Sequence, residues 1–134
     1  MKYPQIAIRV CFRDRKILQG IFRPKELASA LYKFVAQNLS ADENSKEDLD
    51  FSLYTTPPKK TITDMKKTLF ELDLYPAAQV YFKNKSDRVP KFKETVSYVT
   101  KMEAREIVNT SIHQQIRNVE HEGKLKRISF ISLL

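Results

Sequence analysis

The 134-residue chain is predicted to fold as an α+β domain, a mixed sheet crossed by one long helix and followed by a C-terminal helical extension. Three observations predict this. Residues 6–12 alternate, with Ile6, Ile8, Val10 and Phe12 on one side and Ala7, Arg9 and Cys11 on the other, the pattern of a half-buried strand. Pro24 then opens a run in which Leu27, Leu31, Phe34 and Val35 recur at helical spacing through to Leu39, and proline suits a first helical position. Two further strand-like runs, Phe51 to Thr55 and Ala77 to Phe82, flank the turn Thr56-Pro57-Pro58-Lys59 and a short apolar-spaced segment.

Taken along the chain, Arg13 to Lys16 is a polar turn and Ile17 to Arg23 a second strand, with Leu18 and Phe22 inward. Gly20 between them marks a bulge or close packing. After the helix, Ala41 to Asp50 carries Asp42, Glu43, Glu47, Asp48 and Asp50 against Lys46, the composition of a solvated loop. A tight hairpin after Thr55 would favour Asn-Gly or Gly-Xaa, whereas Pro57-Pro58 removes two backbone donors and stiffens an exposed loop suited to contact. Leu69 to Leu74 forms a short helical turn, and Ala77 to Phe82 is a last strand ended by Lys83-Asn84-Lys85. Strand, strand, helix, strand, short strand or turn, short helix, strand is the order of the ubiquitin-like β-grasp.

That domain occupies residues 5–84, and residues 85–134 form the extension. Arg88 to Glu94 is a linker. From Val96 onward, Val99, Met102, Val108, Ile112, Ile116 and Val119 recur mostly at three- or four-residue steps, with Gly123 placed to end a helix. Such a stripe is more often buried on its own domain than kept for a partner. The tail Ile128 to Leu134 follows, and each large side chain in it gains ~1.5–3 kcal/mol on burial. It returns to the core as an extra strand or docks on another molecule.

Formal net charge is +8, spread evenly: 14 basic against 10 acidic residues in 1–84 and 10 against 6 in 85–134, net +4 each. One cysteine, Cys11, excludes an internal disulfide and fits a reducing compartment. The N-terminal run is broken by Arg9, Arg13 and Arg15, and no segment approaches membrane-spanning length. A soluble cytoplasmic or nuclear protein is the expectation, without membrane insertion.

Catalysis finds little support. His113 and His121 are eight apart with no acidic or cysteine partner at ligand spacing, Gly20 and Gly123 are the only glycines, and no phosphate-cradling loop can be built from them. No cofactor and no metal are expected. Cys11 has Arg9 as its neighbour, which lowers a thiol pKa only modestly. Lys59, Lys60, Lys66 and Lys67 form either a phosphate-binding patch or a solvated basic surface. Specific nucleic-acid recognition is not expected, since the chain lacks interleaved aromatic platforms.

The block Gln19-Gly20-Ile21-Phe22-Arg23-Pro24 followed by Leu31-Tyr32-Lys33-Phe34-Val35 resembles the opening half of a UBX domain. Thr55-Thr56-Pro57-Pro58-Lys59 with Thr68-Leu69-Phe70-Glu71-Leu72-Asp73-Leu74-Tyr75-Pro76-Ala77-Ala78 looks most like the subfamily of tethers containing a UBX domain, ASPL/TUG. The resemblance covers about residues 5–84. It implies a non-catalytic adaptor that binds the N-terminal domain of the AAA+ ATPase valosin-containing protein, within the ubiquitin–proteasome pathway. The contacts it implies are Arg9 on the first strand and the loop Thr56, Pro57, Pro58 and Lys59, with a cis bond at Pro58. That loop departs from the family's usual Phe-Pro-Arg: proline replaces the aromatic anchor, and an ammonium replaces a bidentate guanidinium. The subfamily further implies an extension that remodels the ATPase hexamer.

Two other β-grasp functions compete. A conjugated modifier needs a diglycine terminus, which Leu133-Leu134 does not supply. A Ras-effector-type module would use Arg9, Arg23, Lys25 and Lys33 against an acidic surface.

Overall fold

A computed structural model describes residues 5–40, 50–74, 77–85, 89–94, 96–110 and 129–133. The elements are β1 (Ile6–Cys11), β2 (Lys16–Phe22), α1 (Ala28–Asn38), β3 (Phe51–Thr55), β4 (Lys60–Thr61), β5 (Ala77–Asn84), β6 (Ser97–Tyr98), α2 (Lys101–Thr110) and β7 (Ser129–Leu133). All the described strands belong to one mixed sheet in the order β4-β3-β5-β1-β2-β7-β6. β1 lies between β2, its antiparallel partner, and β5, its parallel partner. This is the β-grasp, widened by two strands from the extension.

Alternation along each strand divides the sheet into two faces. On the inner face, Ile6, Ile8, Val10, Leu18, Phe22, Leu53, Val80 and Phe82 pack against Ala28, Leu31, Phe34 and Val35 of α1. Gly20 is the close-packed position. A Cβ built on it would come 2.6 Å from Cζ of Phe34, whose ring is buried and meets Phe22 edge-on at 5.1 Å.

α1 begins later than Pro24. Glu26 N–H donates to the Arg23 carbonyl and Arg23 N–H to the Glu26 carboxylate, forming a turn over 23–26. Leu27 sits at the N-cap without a side-chain cap. The first helical N–H groups are satisfied from outside, Ala28 donating to Lys67 O at 2.8 Å and Ser29 to Met65 O at 3.2 Å. A distant loop does what a local side chain normally does. At the other end Lys93 N–H reaches Asn38 O and Ser40 N–H reaches Lys91 O. The buried Asn38 amide donates to Phe34 O and accepts from the Ser129 hydroxyl at 3.0 Å, tying α1 to β7.

Residues 68–74 form one helical turn. Thr68 and Glu71 make a reciprocal cap. Asp73 at φ 60° ends it, with Leu74 N–H bonded to Leu69 O and Asp73 N–H to Phe70 O, the Schellman arrangement. β5 continues through Asn84, past the expected end at Phe82, because Asn84 pairs with Phe51 of β3.

The extension differs from the expected single long helix. Val96 is buried ahead of β6, and α2 starts only at Lys101, behind Thr100, whose hydroxyl accepts from Glu103 N–H at 3.1 Å. Met102, expected on the buried stripe, is 76% exposed, while Ala104 is 5% exposed. The part of the stripe from Ile112 to Val119, with His113, His121 and Gly123, lies outside the described residues. The tail does return as a strand: β7 pairs antiparallel with β2, and Val99 N–H bonds to Ile131 O. Ile131 joins the inner core, whereas Phe130 lies on the outer face, opposite Gln19. α2 packs against β7, and Ile17, Ile21, Phe130 and Ala104 are all buried away from α1.

Phe130 is 1% exposed, so Phe130→Ala is expected to cost about 3–5 kcal/mol in urea unfolding, as for other buried aromatic truncations. A loss under about 1 kcal/mol would show that the tail strand contributes little to the domain.

Candidate functional site

Strand register sets where Arg9 and the proline loop lie. Arg9 of β1 is opposite Gln79 of β5. β3 runs antiparallel to β5 with Tyr54 opposite Tyr81, so continuing two residues brings Thr56 level with Gln79 and with Arg9. Two strand spacings of about 4.8 Å put the loop roughly 10 Å from the Arg9 strand. Arg9 projects from the outer face, and Arg9, Thr56, Pro57, Pro58 and Lys59 are all exposed. Both Thr56-Pro57 and Pro57-Pro58 are cis.

The loop is held from behind. Thr55 pairs with Lys60 and Tyr54 with Thr61, closing a four-residue connection. Beneath them, the Tyr32 hydroxyl of α1 donates to Ile62 O at 2.6 Å and accepts from Leu53 N–H at 2.9 Å. One phenol thus clamps the chain on both sides of the loop, while its ring stacks on Phe51 at 5.5 Å. Burial raises the Tyr32 pKa, and the hydrogen bond from Leu53 offsets this in part. Sequence reasoning passed over Tyr32; its signal was a phenol on a helical face next to buried Leu31, where a hydroxyl needs a partner.

Lys59 does not extend from the tip. Its Nζ lies 4.9 Å from the Tyr54 ring centre, over a ring that stacks on Tyr81 at 5.4 Å. Lys59 therefore faces down the sheet, away from the level of Arg9. Lys66 and Lys67 belong to the segment that meets the start of α1. Lys59 is thereby separated from Lys66 and Lys67. The Ras-effector set is divided too: Arg9 stands on the outer face, and Lys33 on the helix that covers the inner one.

Cys11 is buried on the outer face of β1. Burial raises its pKa, against the lowering effects of a Gln79 hydrogen bond and of the Arg9 charge. Desolvation outweighs the neighbouring guanidinium, so the thiol is less acidic than its sequence neighbour suggested.

A family model for the UBX domain matches residues 1–84. The human protein named tether containing UBX domain for GLUT4 is 45% identical over 80 residues, covering 60% of this chain and 14% of that protein. Its mouse counterpart is 46% identical over 81 residues with the same coverage. Plant UBX domain-containing protein 1 of Arabidopsis thaliana is 36% identical over 83 residues, 62% of this chain and 31% of the relative. The chain spans only a small part of the length of each.

Tyr32→Phe keeps the ring but leaves Leu53 N–H and Ile62 O without their partner, and is expected to cost about 1–3 kcal/mol. The folded phenol binds its proton more tightly than the unfolded one. Its contribution is therefore full below the ordinary value of 10.0 and drains as pH rises above it. Unfolding curves at neutral and strongly alkaline pH check both: the parent should lose this increment and Tyr32→Phe should not.

Proposed function

Because the chain belongs to the UBX domain family, whose members are protein-interaction adaptors, we propose that it docks without catalysis on the N-terminal domain of valosin-containing protein, a hexameric AAA+ ATPase. The observation that carries this reading is the shared level of the exposed Arg9 and the exposed proline loop along the sheet, two strand spacings apart. Prolines at 57 and 58 restrict φ and remove donors that a cleft would otherwise have to satisfy. Little conformational entropy remains to be lost when such a tip enters a cleft. Arg9 supplies a planar donor fork suited to a carboxylate beside that cleft. Lys59, held over Tyr54, adds charge from the flank and leaves the apolar tip to Pro57 and Pro58.

Calorimetric titration against the ATPase hexamer tests the reading. Arg9→Ala should weaken binding by about 1–3 kcal/mol and Pro58→Gly should weaken it measurably, whereas Lys33→Glu should leave it unchanged. Unaltered binding by both loop and arginine variants overturns the assignment, and absent ATPase binding together with Lys33-dependent binding to a GTP-loaded Ras-type GTPase favours the Ras-effector alternative.

The same reading gives the extension a part in loosening the hexamer, through the exposed Tyr98 and Met102, 60% and 76% accessible beside the docked domain. Removing the whole extension would also strip β7 from the core, so substitution is the cleaner probe. Native mass spectrometry with excess chain should show hexamer loss that Met102→Glu suppresses. An intact hexamer with the parent chain removes this part of the proposal.

A further inference from the structure

Two adjoining cavities of about 280 Å³ and about 200 Å³ open beside the tyrosine pair. Tyr54, Lys59, Lys83 and Asn84 line both, so they form one continuous groove. Its position follows from register. β1 and β5 run parallel with Cys11 opposite Tyr81, and two residues further on Arg13 comes level with Lys83. Ser52 of β3 pairs with Lys83 on the other side. The groove thus lies one tyrosine rung below the level of Arg9, and Lys59 is the only residue of the proline loop that reaches it.

Its charge is one-sided. Among the described residues, Arg13, Lys59, Lys83 and Lys85 line it with one carboxylate, Asp50, which Lys85 holds at 2.9 Å. Four cations and one anion among these described lining residues leave an excess of +3. Lys59 Nζ is fixed over the Tyr54 ring rather than trailing in solvent, which lowers the entropy lost when an anion binds it. Ser52 adds a neutral polar residue to the walls.

We infer that this groove binds an acidic peptide segment, a short extended run of Glu or Asp side chains, with Lys59, Lys83 and Arg13 receiving its carboxylates. The combined volume of the two adjoining cavities exceeds what one small anion fills. Tyr54 is engaged by Tyr81 and Lys59, so it offers a poor stacking platform for a nucleic-acid base. The inference does not rest on the ATPase reading. Lys83 and Arg13 lie outside the proline loop, so their variants can fail here while ATPase docking persists, and the converse holds for Pro58→Gly.

The test is fluorescence anisotropy of a labelled hexaglutamate peptide with the full chain, with hexaglutamine as control and inorganic pyrophosphate as competitor. Saturable binding of hexaglutamate alone is expected, weakened at least about fivefold between about 50 and 300 mM salt. Lys83→Glu and Arg13→Glu should each weaken it at least about fivefold, and Lys66→Glu, remote from the groove, less than about twofold. Circular dichroism melts confirm folding, with Lys83→Gln used in place of any variant that melts early. The inference is overturned by absent binding, by equal binding of hexaglutamine, by equal losses with Lys66→Glu, or by pyrophosphate displacing the peptide at far lower concentration than unlabelled hexaglutamate does.

Discussion

The closeness of α1 to β2 governs the rest of the domain. With only hydrogen at Gly20, the Phe34 ring settles directly on the strand, where a methyl group would stand 2.6 Å from its Cζ. Interiors are packed too densely to absorb such an overlap cheaply. Two residues before Phe34 on the same helix, Tyr32 is thereby set at the height from which its hydroxyl reaches both Leu53 N–H and Ile62 O. The loop between those two strands inherits its position from a contact on the far side of the core. The functional face and the core are thus joined by one helix, and the loop's two prolines stiffen a segment whose ends are already anchored.

The comparison with relatives explains the domain but not its final width. The family model ends at residue 84, while β7 and β6 continue the same sheet past β2. Burial of Phe130 and Ile131 accounts for the tail's return, since an apolar strand left in water forfeits about 1.5–3 kcal/mol per large side chain. Asn38 then serves both ends of this arrangement, holding the last turn of α1 and accepting from Ser129. Its buried amide is tolerated because both of its polar atoms are used.

Much of the fold was legible because period-two and helical spacing are local signals. Ile6, Ile8, Val10 and Phe12 share one side of their strand, and Leu31, Phe34 and Val35 one side of their helix, while the position of Gly20 between Leu18 and Phe22 left a bulge and close packing both open. What was not legible depended on distant partners. The start of α1 is capped by carbonyls of Met65 and Lys67, so Pro24 marked a turn instead of a first helical residue. Val96, Val99 and Met102 fitted a helical stripe, yet the Thr100–Glu103 cap begins the helix after two of them; the Thr-Xaa-Xaa-Glu pattern was present in the sequence and outranks weak periodicity. Among the site residues, Arg9 and the loop could be named from resemblance, but their common level required the β3–β5–β1 register. The orientation of Lys59 depends on Tyr54, and the cations facing it across the groove come from residues 13, 83 and 85, which no local pattern connects.

The sheet finishes on each side with a strand of two residues, β4 at one border and β6 at the other. Long unpaired borders invite a neighbouring molecule to extend the ladder, and curtailing them is a common safeguard against fibrous self-assembly. β7 covers the long flank that β2 would otherwise present, and β6 then caps β7 with a stub too short to template another copy. Among the described residues, neither border therefore offers a long terminal strand for a second copy to extend.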